Sequence, residues 1–415
     1  MRTVNYSEVL QLLSELAGIP YADLPTATAL TYRGALSRYF RKAWEVEYWP
    51  ELTRTDQRYY RPVWAAGTTY AAGAEVFFKG NGAASQSYFQ SLRSGMPLTV
   101  SALGRTGTTA LAVTSGLHGL VTGDWVTITG ASPAGYNLTA QITYFAGNSF
   151  NYTLASDPGA SATGTIRCSP NPESSTGTTS VGWWHPCQAS YSGTTWTPAT
   201  AFAAGAVAYY AVNDTYYACH TASTGNLPTN TSYFGALTVF DKYVGYAQTG
   251  FTAIGDVRDV YSKNPLVNKT YATSNWTLTQ NGVQVPNGPN VVWLEYRTRF
   301  APLIGGDWAS GSAYAVGDQV LFTSGSVKNF YTCAVVTTAG QSPTTHPASW
   351  TILEIPYLFQ PYMVHGAFAD VLRMDGQMDK AAQQERLAEQ YLEIEAAKLF
   401  NLQPQQQRMD MSTAY

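Results

Sequence analysis

Along this chain the spacing of apolar residues switches between a helical period and a strand period, and the switches divide it into segments. From Tyr6 the spacing is helical, with Val9, Leu12, Leu13 and Leu16 on one face. Asn5-Tyr6-Ser7-Glu8 opens this run as a capping-box-like start, and Gly18 with Pro20 just beyond closes it. A second amphipathic helix is predicted over residues 28–44, presenting Leu36, Tyr39, Phe40 and Ala43, with Trp49-Pro50 as its stop. Towards the other end, helices are expected over 361–374 and 377–399. The latter carries Leu387, Tyr391, Ile394 and Leu399 on its apolar face, and Pro404 ends the pattern. Between these helices a period of two prevails. Residues 236–305 hold Val257, Val260 and Tyr261, then a predicted hairpin. In it Trp276-Thr277-Leu278-Thr279 and Val283-Gln284-Val285 flank a turn at Gln280-Asn281-Gly282, and Val291 to Arg297 follows as a strand.

The strand-period regions contain a repeat. Trp64, Tyr70 and Gly73 recur as Trp196, Phe202 and Gly205, and again as Trp308, Tyr314 and Gly317. Each glycine leads into an alternating strand, namely Val76-Phe77-Phe78, Val207-Ala208-Tyr209-Tyr210 or Val320-Leu321-Phe322. The returning strand holds Tyr88-Phe89, Tyr217-Ala218-Cys219 or Tyr331-Thr332-Cys333, followed in two copies by Pro228 or Pro343 and a closing aromatic, Tyr233/Phe234 or Trp350. A unit of about 45 residues is barely large enough for a core of its own. The first copy is interrupted, because its candidate closing pair Trp183-Trp184 lies far beyond a module's length. The insert alternates cleanly through Trp125-Val126-Thr127-Ile128, Ala140-Gln141-Ile142-Thr143-Tyr144 and Phe150-Asn151-Tyr152-Thr153-Leu154, which predicts a small antiparallel β-sandwich.

The expected fold class is therefore α+β and multidomain: a discontinuous helical core with a β-hairpin, three small all-β modules and one inserted β-sandwich. The segments are core helices at 1–61, the first part of module 1 at 62–97, the insert at 98–167 and the rest of module 1 at 168–195. Module 2 at 196–235, core with hairpin at 236–305, module 3 at 306–352, and C-terminal helices with a tail at 353–415 complete the chain.

Composition narrows the function classes. Charged residues make up 12% of the 415 positions, about half the usual share, while aromatics reach 13% with 29 Tyr and 11 Trp. Tyr, Trp, Val and Thr suit half-buried pleated surfaces, so the palette favours strands over an all-helical fold. A net charge of −3 and a pI near 6.0 leave no basic footprint, which argues against sequence-specific DNA binding. Cys168, Cys187, Cys219 and Cys333 are too widely spaced for a CxxC motif and read as small buried hydrophobes, so no metal and no cofactor is expected. With neither a charged leader followed by an apolar run nor an 18-residue apolar stretch, the chain is expected to be soluble, not signal-exported and without a membrane span.

Catalytic motifs are sparse. There is no GxSxG, HExxH or phosphate-binding loop, and Gly104-Arg105-Thr106-Gly107 lacks the lysine of the last. Asp256-Val257-Arg258-Asp259 is the nearest approach to the paired carboxylates of a glycosidase, and it reads as the solvated face of a helix. His118 stands in a turn with no second ligand or carboxylate nearby in sequence. The chain is not expected to be an enzyme.

Three resemblances carry the functional expectation. The Trp, aromatic, Gly, Tyr-x-Cys and Pro pattern, closest at Gly317-Asp318-Gln319-Val320, resembles the chitin- and cellulose-binding modules of families 5 and 12. In that family a Trp before the Pro stacks on sugar, but the loops here read Gly225-Asn226-Leu227-Pro228 and Gly340-Gln341-Ser342-Pro343, so the platform residue is missing. Trp64, Tyr70, Trp196, Phe202, Trp308, Tyr314 and Trp350 are thus module core or glycan-stacking aromatics. The run from Leu117 to Val126, with Gly135-Tyr136-Asn137 and the strand from Phe150, resembles a module that recurs in phage virion proteins. Two N-terminal helices ending in Ala43-Trp44-Glu45 and Trp49-Pro50-Glu51, a central hairpin with Tyr296-Arg297, and a closing helical pair with a polar tail resemble head-to-tail adaptor proteins of tailed phages.

That last resemblance implies a structural virion protein of the neck, assembled in the host cytoplasm as a homo-oligomeric ring, usually dodecameric. Such a ring joins the portal protein to tail and neck proteins and lets DNA pass through its lumen. Glu385, Glu389 and Glu393 form an acidic row that is either a solvated face or a lumen lining. The Gln-rich tail with Gln403, Gln405, Arg408 and Tyr415 is a frayed terminus or a portal contact. The alternatives are a receptor or decoration protein that binds host glycans through the modules, and a polysaccharide depolymerase with carbohydrate-binding modules.

Overall fold

A computed structural model describes residues 2–80, 86–172, 182–267, 272–273 and 275–402. The fold is mixed α+β, mostly strand, and four α-helices are found among the described residues. They are α1 (Tyr6–Leu16), α2 (Thr26–Val46), α3 (Gln360–Met374) and α4 (Met378–Leu402). No helix among those residues is long and apolar enough to cross a membrane. The chain forms two compact units. The first takes its described residues from Met1–Arg54, Ile254–Arg258 and Tyr296–Tyr415, and the second from Thr55–Ala253 and Asp259–Glu295.

In the first unit α3 packs against α1, α2 and α4. It buries Tyr362, Met363, Val364, Gly366, Ala367, Ala369 and Leu372 around most of its circumference, and the small residues let neighbouring helices come close. Gly366 is required there, since a Cβ at that position would lie 2.3 Å from the ring of Tyr39 on α2. Val9, Leu10, Leu13, Leu36, Phe40 and Trp49 complete the core, and the Trp49 indole donates to the carbonyl of Ala43 at 2.7 Å.

The capping box expected at the start of α1 does not form. Asn5 makes no side-chain cap, although strand Thr3–Asn5, paired with Glu354–Pro356, holds its backbone in the extended conformation that an N-cap takes. The amide of Ser7 donates instead to Asn329 Oδ1 at 3.0 Å, from strand Val327–Cys333 of module 3. Phe330 on that strand meets Tyr6 edge-on at 4.9 Å, and Phe330 and Leu353 are buried within the helical core. Module 3 is thereby part of the first unit.

The far end of α2 is held by Arg297, on strand Val291–Thr298. Its guanidinium donates to the carbonyls of Trp44 at 2.7 Å and Glu47 at 3.4 Å, and its Nε donates to Asp256 at 3.0 Å. A cation at a helix C-terminus is favoured by the helix dipole. Asp256 to Asp259 lie on strand Ile254–Tyr261, not on the expected helix. The burial of Ile254, Val260 and Tyr261 at its ends, with mainly polar residues between, was too short a signal to set the period.

In the second unit the insert is a closed six-stranded barrel, not the expected sandwich. Strand Arg167–Pro170 pairs on one side with Leu98–Thr106 and on the other with Trp125–Thr129, which removes both edges. Inward and outward residues alternate in the same way in both architectures, so the alternation could not tell them apart. The two halves of module 1 rejoin across this insert, as Glu75–Phe78, Ser87–Ser91 and Trp184–Pro186 form one sheet. Module 2 packs on module 1 so closely that a Cβ on Gly235 would lie 2.3 Å from the carbonyl oxygen of Leu92. The hairpin of Thr277–Thr279 and Gly282–Gln284 turns through Gln280 and Asn281, with Gly282 already paired to Thr279, and it belongs to this second unit.

Replacing Asn329 with Ala leaves the first turn of α1 without its acceptor and is expected to cost about 1–2 kcal/mol. Chemical denaturation followed by helical circular dichroism measures this, and an unchanged midpoint would show that the cap contributes nothing.

Candidate functional site

The three modules repeat in space as they do in sequence. The backbone amide of the leading Trp donates to the facing strand in each, Trp64 to Phe77 at 2.8 Å, Trp196 to Tyr209 at 2.8 Å and Trp308 to Leu321 at 2.9 Å. Their rings sit edge-on to Phe78, Tyr210 and Phe322 at 5.4, 5.6 and 5.5 Å. The aromatic six residues on closes against the last strand, Tyr70 on Trp184 at 5.4 Å, Phe202 on Phe234 at 5.9 Å and Tyr314 on Trp350 at 5.3 Å. Gly73, Gly205 and Gly317 all take positive φ (83°, 89° and 95°) and donate to the carbonyls of Ser91, Cys219 and Cys333. Ser91 thus occupies in module 1 the place that cysteine holds in the other two.

All seven aromatics singled out by the repeat are consumed in this packing. Phe202 and Trp350 are buried, and Trp64, Tyr70, Trp196, Trp308 and Tyr314 are half-buried against their own module cores. Edge-to-face packing of this kind contributes about 0.5–1.5 kcal/mol per pair beyond area burial. Phe202 and Trp350 are thereby closed to a ligand, while the other five rings keep part of their surface exposed. Trp183, the other half of the candidate closing pair, donates its indole N–H to the carbonyl of His118 at 2.7 Å and lies under the Arg93 guanidinium at 3.8 Å.

His118 is fully buried in the barrel. Its Nδ1 accepts the amide of Leu120 at 3.0 Å, which places the proton on Nε2, and Nε2 donates to the carbonyl of Ala146 at 2.9 Å. The ring pins the turn at 117–121 to the hairpin of Thr139–Ala146 and Ser149–Thr153, which is a structural task. Asp256 is engaged by Arg297, and among the described residues no group of three or more His, Cys, Asp or Glu side chains is arranged to hold a metal.

On the first unit the acidic row divides. Glu385 pairs with Arg373, which also bonds Asp370 at 3.0 Å, and Asp370 in turn accepts from Arg38 on α2 at 2.6 Å. Glu389 and Glu393 are exposed and line a groove with Lys42 and Tyr362. Gln403, Gln405, Arg408 and Tyr415 lie outside the described residues.

The periodicity placed Leu12, Leu16, Tyr391 and Ile394 on apolar faces, which suggests burial. They are instead exposed, at 39%, 42%, 38% and 52%. Leu12 and Leu16 on α1, with Tyr391 on α4, flank a groove of about 440 Å³ floored by Pro361, Val364 and His365 of α3. His365 Nδ1 bonds Gln384 at 2.8 Å and the imidazole stacks on Tyr391 at 5.4 Å, so the groove wall is fixed. Periodicity identifies which residues share a face, but it cannot say whether the same chain covers that face.

Burial holds the imidazoles of His185 and His220 below their ordinary value of 6.5, and the nearby Arg93 adds to this for His220. Both stay neutral in the folded second unit where an unfolded chain would already take up protons. Their contribution to stability is full above pH 6.5 and is lost as the pH falls from there towards the folded-state values. Unfolding midpoints compared at about pH 7.5 and about pH 5.5 should drop on the acid side, and His220→Gln should shrink the difference. Equal midpoints would contradict this. No family model matches the sequence, and neither a curated protein nor a solved structure matches it.

Proposed function

We propose that this chain is a structural, non-enzymatic subunit of a tailed-phage particle that self-associates through its helical unit into a head-to-tail adaptor ring. The observation that carries the reading is the uncovered apolar flank formed by Leu12, Leu16 and Tyr391 around the groove over α3, with the exposed Ile394 three residues further along α4. Contiguous exposed apolar surface on an otherwise well-packed body marks a site that another protein surface covers. A stable subunit contact needs about 1,000 Å² or more of buried surface, and a flank running along two helices offers the core of such an interface.

The resemblance of the helices and tail to adaptor proteins supplies the kind of assembly, with the portal and the tail or neck proteins as neighbours. In that assembly the exposed Glu389 and Glu393 present like charge to passing DNA and so keep it from adhering. Modules 1 and 2, which belong to the second unit, serve as decoration in that assembly.

Sedimentation of the full chain tests the reading. The wild type should run as a large homo-oligomer, and Leu16→Asp combined with Tyr391→Asp should shift it to smaller species while circular dichroism is unchanged. A wild type that stays monomeric at high concentration would end the proposal.

A further inference from the structure

A second depression, of about 390 Å³, lies in the second unit. It forms where strand Ser87–Ser91 of module 1, the segment 239–242 after module 2 and the loop 284–290 after the hairpin come together. One wall is built with unusual rigidity, because three donors hold three successive carbonyls of that loop. Lys242 Nζ donates to Gly288 at 2.6 Å, the Tyr60 hydroxyl to Pro289 at 2.9 Å and the Tyr88 hydroxyl to Asn290 at 2.5 Å. A pocket fixed in this way loses little ordering entropy when it is filled.

The polar groups facing the depression have bonding capacity to spare. Lys242 carries three N–H donors and gives one to Gly288. Asn290 gives its Nδ2 to the carbonyl of Gln86 at 2.8 Å, which leaves its Oδ1 as an acceptor. Asp241 adds an exposed carboxylate, Gln284 an amide and Ser87 a hydroxyl, while the exposed Val239 supplies an apolar patch. Ammonium and carboxylate are adjacent in sequence on this rim, so a ligand with net charge of either sign gains at one group and loses at the other. A neutral molecule dense in hydroxyls suits the set, since each hydroxyl both donates and accepts and its carbons can lie against Val239.

We propose that this depression is a binding site for a neutral saccharide, a free mono- or disaccharide or the terminal unit of a glycan chain. It lies apart from the leading and closing aromatics of the modules, and it does not depend on ring assembly.

Saturation-transfer NMR of the full chain with glucose, galactose, mannose, N-acetylglucosamine and their β-linked dimers tests it, and a glycan array carrying the same terminal sugars separates free from chain-borne ligand. At least one sugar should bind saturably with a Kd on the order of 1 mM. Asp241→Ala and Gln284→Ala should each weaken it by about tenfold, with circular dichroism unchanged, while Tyr209→Phe on module 2 leaves it intact. Absence of saturable binding across the panel, or binding that ignores both substitutions, would overturn the assignment. Either failure leaves the oligomer measurement unaffected.

Discussion

A β module of this size has two faces and too few residues to bury both, and the fold is organised around that shortage. Each module closes one face with its own Trp, aromatic and glycine set and gives the other to a neighbour. Module 1 shares a hydrophobic cluster with the barrel through Val76, Phe78 and Phe89. Module 2 sets Ala218 and Leu237 against Leu92 of module 1, and module 3 sinks Phe330 into the helical core. The modules are thus structural members of the units that hold them. Asn329 makes the dependence concrete, since a residue of module 3 supplies the acceptor that starts α1.

Charge is used sparingly and mostly as a fastener. Arg297 ties the end of α2 to a strand more than two hundred residues away in sequence, and Arg61 holds Glu75 at 2.5 Å with both side chains largely buried. The Arg38, Asp370, Arg373 and Glu385 chain links α2, α3 and α4. Buried or partly buried pairs of this kind contribute little net stability when formed, yet removing one partner strands the other, so they favour one arrangement over its competitors. In a chain with only 12% charged residues, this placement leaves much of the surface to hydroxyl, amide and apolar groups.

What the sequence could show follows from which signals are local. Four helices stood out because their periods run over many residues, and their ends fell within three positions of those expected. The module repeat was legible because Trp, aromatic and Gly occur at fixed offsets, and the structure gives all three copies the same contacts. Non-local features were hidden. Asn329 reaching α1, Arg167–Pro170 closing the barrel and the strand around Asp256 each depend on partners distant in sequence. The depression proposed to take a saccharide was hidden for the same reason, as Ser87, Asp241 and Gln284 carry no shared motif. The exposure of Leu12 and Tyr391 was also invisible, because an apolar stripe reads the same whether its cover is the chain itself or another molecule.

In the proposed ring the helical unit meets copies of itself along that stripe. Single-particle imaging of the purified full chain, averaged without imposed symmetry, examines this directly. The proposed assembly predicts closed rings around a central opening, with α1 and α4 at the contacts between subunits. Isolated particles of one chain's mass, or assemblies joined through the β modules with the α1 and α4 flank left bare, would contradict it.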